Sequence, residues 1–157
     1  MAEAPPVSRA LQALGIPHDV FRHAGVVTSL EQAARERGQQ PEQVVRSIVF
    51  RLGAERFIMV LAAGPSQVSW KKLREYVSQT RLTMATEAEV PGATGYRLGT
   101  VSPFGLPVPL RILVDRGVVR ESRVSIGSGT ANTGVILSSA DLVRAIPQAE
   151  LVDLVGT

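Results

Sequence analysis

Arg46 lies inside a mostly apolar stretch, VVRSIVFRL, that has the composition of a buried β-strand. Side chains alternate between the two faces of a strand, so Arg46 shares a face with Ile48 and Phe50, while Ser47 and Val49 lie on the other. Both faces are mostly apolar, as in a strand that is covered on two sides. An arginine at such a position must find a partner, reach water or line a hole in the fold.

Two glycine-containing segments are candidates for contacts with a ligand. GSGTANTG, at residues 127–134, has the composition of a phosphate-binding loop, but it lacks the GxGxxG spacing and no helix follows it directly. It is either a flexible connector between strands or a loop whose backbone N–H groups contact substrate. In GTVSPFG, Gly99 and Gly105 lie on either side of Pro103, which combines permissive and rigid backbone positions. This segment is either a simple turn or a functional loop.

Several other kinds of site are excluded or disfavoured. The chain has no cysteine, which excludes disulfides, thiolate catalysis and cysteine-ligated metals. His18 and His23 have no accompanying ligand cluster, so we predict no metal site and no cofactor. There is no GxSxG nucleophile elbow, which disfavours a serine-hydrolase triad. Asp115 ends an apolar strand and is either a turn residue or an acid of the site.

Length and composition are those of one globular domain. The chain has 157 residues, 45% of them hydrophobic, and a formal net charge of +3. The mild positive charge is compatible with a nucleic-acid partner without requiring one. No signal peptide is evident and no apolar run is long enough to span a membrane, so we predict a soluble, cytoplasmic protein consisting of a single domain over residues 1–157.

The pattern of apolar residues predicts the elements that would position these candidates. We predict an opening helix from Pro6 to Gly15, a strand at residues 18–23 and a helix at 30–38 capped by Ser29. A hairpin at 44–52 and 56–64 follows, then a helix at 70–77 capped by Ser69. We expect a strand at 80–85 and then a short acidic helix after Thr86 that is ended by Pro91 and Gly92. Further strands and a last helix at 140–146 follow. This order predicts an α+β fold with a mixed or antiparallel sheet.

Taken together, these segments resemble the YbaK/EbsC family, which shares its fold with the editing domain inserted in bacterial prolyl-tRNA synthetases. The resemblance runs from about residue 20 to 146, and no single motif in it is decisive. It depends on the order and spacing of five segments: VVRSIVF, MVLAAGPSQVSWKKL, LTMATEAEVPGATGYRLGTVSPFG, PLRILVD and SIGSGTANTGVILSSADL. It implies a strongly twisted, mixed and partly barrel-like sheet with flanking helices. It also implies hydrolysis of the ester that joins a wrong amino acid to the 3′ end of a tRNA.

The resemblance also implies roles for particular residues. Arg46 matches a family lysine that holds the terminal adenosine and its phosphate, and Ser47 matches a position of small polar residues. The resemblance thus implies that Arg46 is a substrate-facing cation at a gap in the sheet. The alternatives are an inward-pointing charge that protects an edge strand and a guanidinium that extends to water. The segment from Gly99 to Pro103 is similar to the family's GxxxP loop, which would surround the ester and orient water with backbone groups. Further positions fall where relatives line the aminoacyl pocket: Phe21, Gly127, Ser128 and Gly129.

We therefore predict a trans-editing aminoacyl-tRNA deacylase whose partner is a mischarged tRNA. Whether an aminoacyl-tRNA synthetase is a second partner stays open. We expect no membrane partner. A synthetic site separates amino acids that differ by one methylene by only about 10–200-fold, so a second sieve is required. One alternative is a module that binds the tRNA end or a nucleotide without hydrolysing it, since arginine replaces the family lysine. Another is an interaction domain that retains only the fold.

Overall fold

The computed structural model describes residues 3–54 and 56–156. Within these ranges the chain forms five α-helices and eight β-strands. The helices are α1 (Pro6–Ala13), α2 (Leu30–Arg37), α3 (Trp70–Val77), α4 (Val90–Thr94) and α5 (Ser139–Arg144). The strands are β1 (Asp19–Arg22), β2 (Val45–Leu52), β3 (Arg56–Ala63), β4 (Leu82–Met84), β5 (Arg111–Asp115), β6 (Arg123–Gly127), β7 (Thr133–Ser138) and β8 (Glu150–Val152). None of these helices has the length and apolar character that a membrane-spanning segment needs.

The strands form two sheets, neither of which closes into a barrel. The larger sheet has the order β4-β2-β3-β5-β8 and is mixed, because β5 pairs in parallel with both β3 and β8 while β2 pairs antiparallel with β3 and β4. The smaller sheet is antiparallel with the order β1-β7-β6. The prediction of an α+β fold with a mixed sheet is confirmed, and the strands divide between two sheets.

The two sheets share one hydrophobic core, and α3 covers the outer face of the larger sheet. Val45 and Val49 of β2 are buried in the same cluster as Ile126 of β6 and Val135 of β7. A second cluster joins the other face of the larger sheet to α3, with these buried members: Phe50, Leu52, Ile58, Val60, Leu73, Val77, Leu82, Leu113 and Leu154. The strand β2 is therefore covered on both faces, as the apolar character of both faces predicts.

Local capping signals begin and end the helices as the sequence predicts. The Ser29 hydroxyl accepts a hydrogen bond from the Gln32 backbone nitrogen at 3.0 Å, and the Ser69 hydroxyl accepts one from Lys72 at 3.2 Å. Gly38 ends α2 at a φ of 69°, a left-handed conformation that glycine adopts without steric cost. These side-chain caps satisfy backbone donors that the first turn of a helix leaves free.

The prediction that Pro91 and Gly92 end a short helix is wrong. The helix α4 begins at Val90 and continues through both residues to Thr94. Proline has a fixed φ and no N–H, but neither property matters in the first turn, where the backbone nitrogens have no intrahelical partner. Pro91 therefore lies in the first turn of this helix instead of ending it.

Asp115, at the end of β5, is a buried turn residue. One carboxylate oxygen accepts hydrogen bonds from the backbone nitrogens of Leu154 at 2.8 Å and Val155 at 3.1 Å. The other accepts one from Gly117 at 2.9 Å. Because its bonds go to three backbone donors, Asp115 ties the C-terminal segment to the larger sheet.

Candidate functional site

A cavity of about 580 Å³ lies where the two sheets diverge. Val44 forms an isolated parallel bridge with Ser125 of β6. Beyond this bridge β2 pairs with β3, and β4 joins the other edge of β2 only at Phe50, so the first half of β2 borders an opening. The walls come from five segments of the chain, with these lining residues: Val27, Thr28, Ser29, Leu30, Ala33, Arg37, Val44, Val45, Arg46, Ser47, Leu98, Gly99, Thr100, Val101, Ile126, Gly127, Ala131, Asn132 and Thr133.

A larger cavity, of about 700 Å³, lies elsewhere, between β3, α4 and the segment before β5. Two of its charged side chains are paired within the protein: Glu89 with Arg51 at 3.1 Å and Arg111 with Glu150 at 2.8 Å. None of the predicted site residues lines it. We therefore place the candidate site in the smaller cavity, although it has less volume.

Arg46 lines the smaller cavity and is held in place by backbone carbonyl groups. Its Nε donates a hydrogen bond to the carbonyl oxygen of Gly64 at 2.8 Å, and its Nη2 donates to that of Ser66. Burial lowers the pKa of Arg46, because removal from water disfavours the charged form. The guanidinium is thus a partly desolvated cation, fixed by the turn that follows β3, on the wall of a cavity.

Ser47 also lies in the cavity wall, on the opposite face of β2 from Arg46. Among the residues that the structure describes, its hydroxyl is the one buried side-chain polar group without a hydrogen-bond partner. Leaving such a group unsatisfied costs about 1–3 kcal/mol. The hydroxyls of Thr28, Thr100 and Thr133, in the same wall, all donate to oxygens of the protein. Ser47 is therefore the hydroxyl best placed to bind a water molecule or a ligand.

The loop at residues 98–101 approaches the end of β6 closely at Gly127. A Cβ atom at Gly127 would overlap the carbonyl oxygen of Val101 and lie 3.0 Å from that of Thr100. The Thr100 carbonyl accepts a hydrogen bond from the Gly129 nitrogen at 3.0 Å, which fixes the loop against the strand end. Gly99 itself has a φ of 92°, a conformation that other residues rarely adopt. Glycines at these two positions thus allow the loop to form one wall of the cavity.

The other predicted site residues do not line this cavity. Pro103 is buried in the loop beyond Val101. The Ser128 hydroxyl donates to the carbonyl oxygen of Thr133 at 2.7 Å, and so holds the chain that connects β6 to β7. Phe21, on β1, packs edge-on against His23 with ring centroids 4.9 Å apart. Gly129 contacts the loop through the hydrogen bond to Thr100. The roles of these four residues toward substrate stay predictions.

Sequence reasoning missed a second cation in the cavity wall, Arg37. Its Nε donates to Nε2 of His23 at 3.0 Å, and its Nη1 donates to the Ser125 hydroxyl at 2.8 Å. His23 is in turn bonded through Nδ1 to the Glu36 carboxylate at 2.7 Å. In the sequence Arg37 is one of several charged residues at the end of a polar helix, and no pattern there distinguishes it. Its position depends on the packing of α2 against β6 and β7.

The cavity wall contains cations, hydroxyls, an amide and backbone groups. The residues described there include no aspartate, glutamate, histidine or lysine. No group of three or more metal-binding side chains occurs in the described residues. The wall therefore offers hydroxyl, amide and backbone hydrogen-bonding groups and the guanidinium groups of two arginines.

Residues 23–145 match the model of the aminoacyl-tRNA editing domain. The chain belongs to this family. The match covers α2, the hairpin of β2 and β3, the loop at 98–101 and the end of β6, so every segment that forms the cavity lies inside the editing domain. The resemblance predicted from the sequence is confirmed.

Individual relatives include free-standing proteins and parts of synthetases. The editing domain is 27% identical over 131 residues to the multifunctional Ser/Thr-tRNA deacylase ProXp-y of Escherichia coli strain K12, covering 81% of this chain and 78% of that one. It is 26% identical over 133 residues to a proline–tRNA ligase of Thermosipho melanesiensis, covering 85% of this chain but 23% of the ligase. A crystal structure of a candidate trans-editing enzyme for prolyl-tRNA synthetase superimposes with a TM-score of 0.87 at 26% identity, covering 99% of this chain and 100% of that one.

Proposed function

We propose that this protein is a trans-editing aminoacyl-tRNA deacylase that hydrolyses the ester of a mischarged tRNA in the cavity at the start of β2. One observation carries the proposal. Arg46, Ser47, Gly99 and Gly127 come from three separate segments of an editing-family chain, and all four line one cavity. Its volume of about 580 Å³ is within the usual range of about 300–1,000 Å³ for small-molecule sites. The 3′ aminoacyl-adenosine is a ligand of that class.

In this mechanism different residues of the cavity wall bind the nucleotide, the ester and the water. Arg46 binds the terminal nucleotide through its positive charge, and the loop at Gly99 provides backbone groups beside the ester. Ser47 orients the attacking water or the ester carbonyl with its otherwise unpaired hydroxyl. Water adds to the carbonyl carbon, the bond to the ribose oxygen breaks, and that oxygen leaves with a proton. With no carboxylate or imidazole described in the wall, the water and the substrate's own groups carry the proton.

The proposal extends to the architecture around the site. The shared core and the bridge between Val44 and Ser125 support a partly barrel-like arrangement of the two sheets around the cavity. We also propose that residues 1–157 act as one editing unit in the cytoplasm, where charged tRNA is found. The relatives named for prolyl-tRNA ligase activity support a synthetase as a further partner.

The function is tested by a deacylation assay with a panel of mischarged tRNAs. Alanyl-, cysteinyl-, seryl- and threonyl-tRNA are prepared with radiolabelled amino acids, and the release of amino acid is followed with and without the protein. We expect at least one ester to be hydrolysed about tenfold or more above the background rate. Binding of tRNA without hydrolysis of any ester in the panel would indicate the alternative, a module that binds the tRNA end.

Changing Ser47 to alanine should lower the deacylation activity without lowering the stability of the protein. We expect the deacylation rate to fall about tenfold or more, because an oriented donor is lost. The free energy of unfolding should stay constant or rise by about 1 kcal/mol, because a buried hydroxyl without a partner is removed. Single-turnover deacylation and thermal denaturation measure the two effects.

The matched control for this serine is Ser69→Ala, which removes a satisfied helix cap at a residue that does not line the cavity. It should lower stability by about 0.5–2 kcal/mol and leave deacylation unchanged. If Ser47→Ala were more stable and fully active, Ser47 would be an unpaired core hydroxyl with no part in the reaction.

A further inference from the structure

We propose that Arg37 is a second anion-binding residue of the cavity, held in place by His23 and Glu36, and that its guanidinium binds the 5′-phosphate of the terminal nucleotide together with Arg46. The inference depends on the proposed function, because it takes the 3′ end of a charged tRNA as the ligand. It adds a substrate-binding residue, Arg37, and two positioning residues, neither of which lines the cavity.

The guanidinium of Arg37 is fixed on one edge and open on another. Nε donates to His23 and Nη1 donates to Ser125, whose own hydroxyl donates to the Gln39 side chain at 2.8 Å. Within the residues that the structure describes, Nη2 has no hydrogen-bond partner, and Arg37 is in the cavity wall. A residue of the cavity wall therefore has an unused hydrogen-bond donor on a guanidinium whose orientation is fixed by its other two nitrogens.

His23 lies between Glu36 and Arg37 and is hydrogen-bonded to both. The imidazole is fully buried, with its Nδ1 2.7 Å from the Glu36 carboxylate. Because Nε2 accepts the hydrogen bond of Arg37, we infer that the proton is on Nδ1 and is donated to Glu36. Hydrogen bonds from Gln32 and His23 lower the pKa of Glu36, so the carboxylate is charged at neutral pH. The result is a carboxylate–imidazole–guanidinium chain that ends at the cavity.

The backbone of β7 leaves room for this arginine. A Cβ atom at Gly134 would lie 2.5 Å from Cζ of Arg37 and 2.7 Å from Nη2. The guanidinium thus lies directly against the strand at a position where any side chain would displace it. This close approach gives a way to move Arg37 without removing it.

The chemistry of Arg37 fits a phosphate. Burial lowers the pKa of Arg37, since desolvation disfavours its charge, but an arginine keeps its proton at neutral pH. No carboxylate is described in the cavity wall to pair with it, and its contact with Glu36 runs through His23. Nε and Nη2 of Arg46 already donate hydrogen bonds to backbone carbonyl oxygens. A phosphate accepts from two guanidinium groups at once and is the anion that the terminal nucleotide supplies.

The test measures the contribution of that phosphate to binding. The probes are non-hydrolysable 3′-amide analogues of aminoacyl-adenosine, one for each amino acid of the deacylation panel, and the same analogues carrying a 5′-phosphate. Isothermal titration calorimetry gives the ratio of the two dissociation constants. For the wild-type protein we expect the phosphate to tighten binding about tenfold or more, because a charge-assisted hydrogen bond contributes about 1.5–3 kcal/mol.

Three variants test whether Arg37 is responsible for the ratio of the two dissociation constants. Arg37→Gln should reduce the phosphate effect about tenfold while the analogue without phosphate binds as before. Gly134→Ala, which keeps Arg37 and displaces it, should reduce the effect in the same direction. Arg35→Gln, which changes an exposed arginine in the last turn of the same helix, should leave the effect intact. Circular dichroism checks that each variant is folded.

The outcomes separate this inference from the proposed function. If wild type hydrolyses its ester and binds both analogues equally, the function stands and the role of Arg37 is overturned. If the phosphate effect survives in Arg37→Gln, or in Gly134→Ala should the first variant fail to fold, Arg37 only ties α2 to β6. A wild-type protein that neither hydrolyses an ester nor binds either analogue would overturn both.

Discussion

Replacing Arg46 with alanine is expected to lower the catalytic efficiency of deacylation about 100-fold. The guanidinium is a desolvated cation on the cavity wall, and a hydrogen bond to a charged group contributes up to about 3 kcal/mol, which corresponds to that factor. Most of the loss should appear as a higher KM, because Arg46 binds the nucleotide and does not contact the scissile bond. Steady-state kinetics with the substrate that the panel identifies measure both parameters.

The control and the conservative change make this prediction specific. Arg51→Ala removes an arginine of the same strand that is paired with Glu89 away from the cavity; it should cost at most about 1 kcal/mol of stability and leave activity unchanged. Arg46→Lys keeps the charge but cannot bond the carbonyls of Gly64 and Ser66 in the same way, so we expect intermediate activity. Full activity in Arg46→Ala would remove this residue from the site. Activity in Arg46→Lys alone would indicate that the wild type is a binding module descended from an editing enzyme.

Replacing Gly127 with alanine should have a comparable effect for a steric reason. The new Cβ would overlap the Val101 carbonyl oxygen, which belongs to the backbone and can move only if the whole loop shifts. We expect the catalytic rate to fall about 100-fold, since a displacement of about 1 Å in a reactive geometry has effects of this size. Overpacking should also lower the free energy of unfolding by about 1–3 kcal/mol.

Gly25→Ala is the matched control for this glycine. A Cβ atom at Gly25 would have no neighbour within 4 Å, and its backbone does not require glycine. Activity and melting temperature should both be unchanged there. A Gly127→Ala variant that melts early but retains its rate per folded molecule would show that the loop at Gly99 is structural and does not form the wall beside the ester.

The candidate site was only partly predictable from the sequence. Arg46 was identifiable because a charge between apolar residues violates the pattern of a buried strand, and Gly99 because its loop matches a family motif. Arg37 carries no such signal, since a charged residue at the end of a polar helix is expected on any surface. Ser47 and Arg46 are neighbours on opposite faces of β2, and their common cavity exists only because the sheet opens at that point.

Predictions of the elements succeeded where the interactions are local. The caps at Ser29 and Ser69 and the β2–β3 hairpin each depend on residues close together in the chain. The strand β8, by contrast, is not evident in the sequence, because its pairing with β5 joins segments about forty residues apart. The start of α4 was misjudged because a proline has opposite meanings in the first turn of a helix and beyond it.

The sequence by itself determined the family, the order of the main elements and the presence of a cation in a buried strand, since all three are written in residue types and short spacings. The tertiary structure decided which residues share a cavity. Arg37, Arg46, Ser47, Gly99 and Gly127 line it, whereas Phe21, Pro103, Ser128 and Gly129 do not. The physical reason is that the cavity is the space between two sheets, and its lining depends on long-range strand pairing and on the close approach of backbones at Gly127 and Gly134.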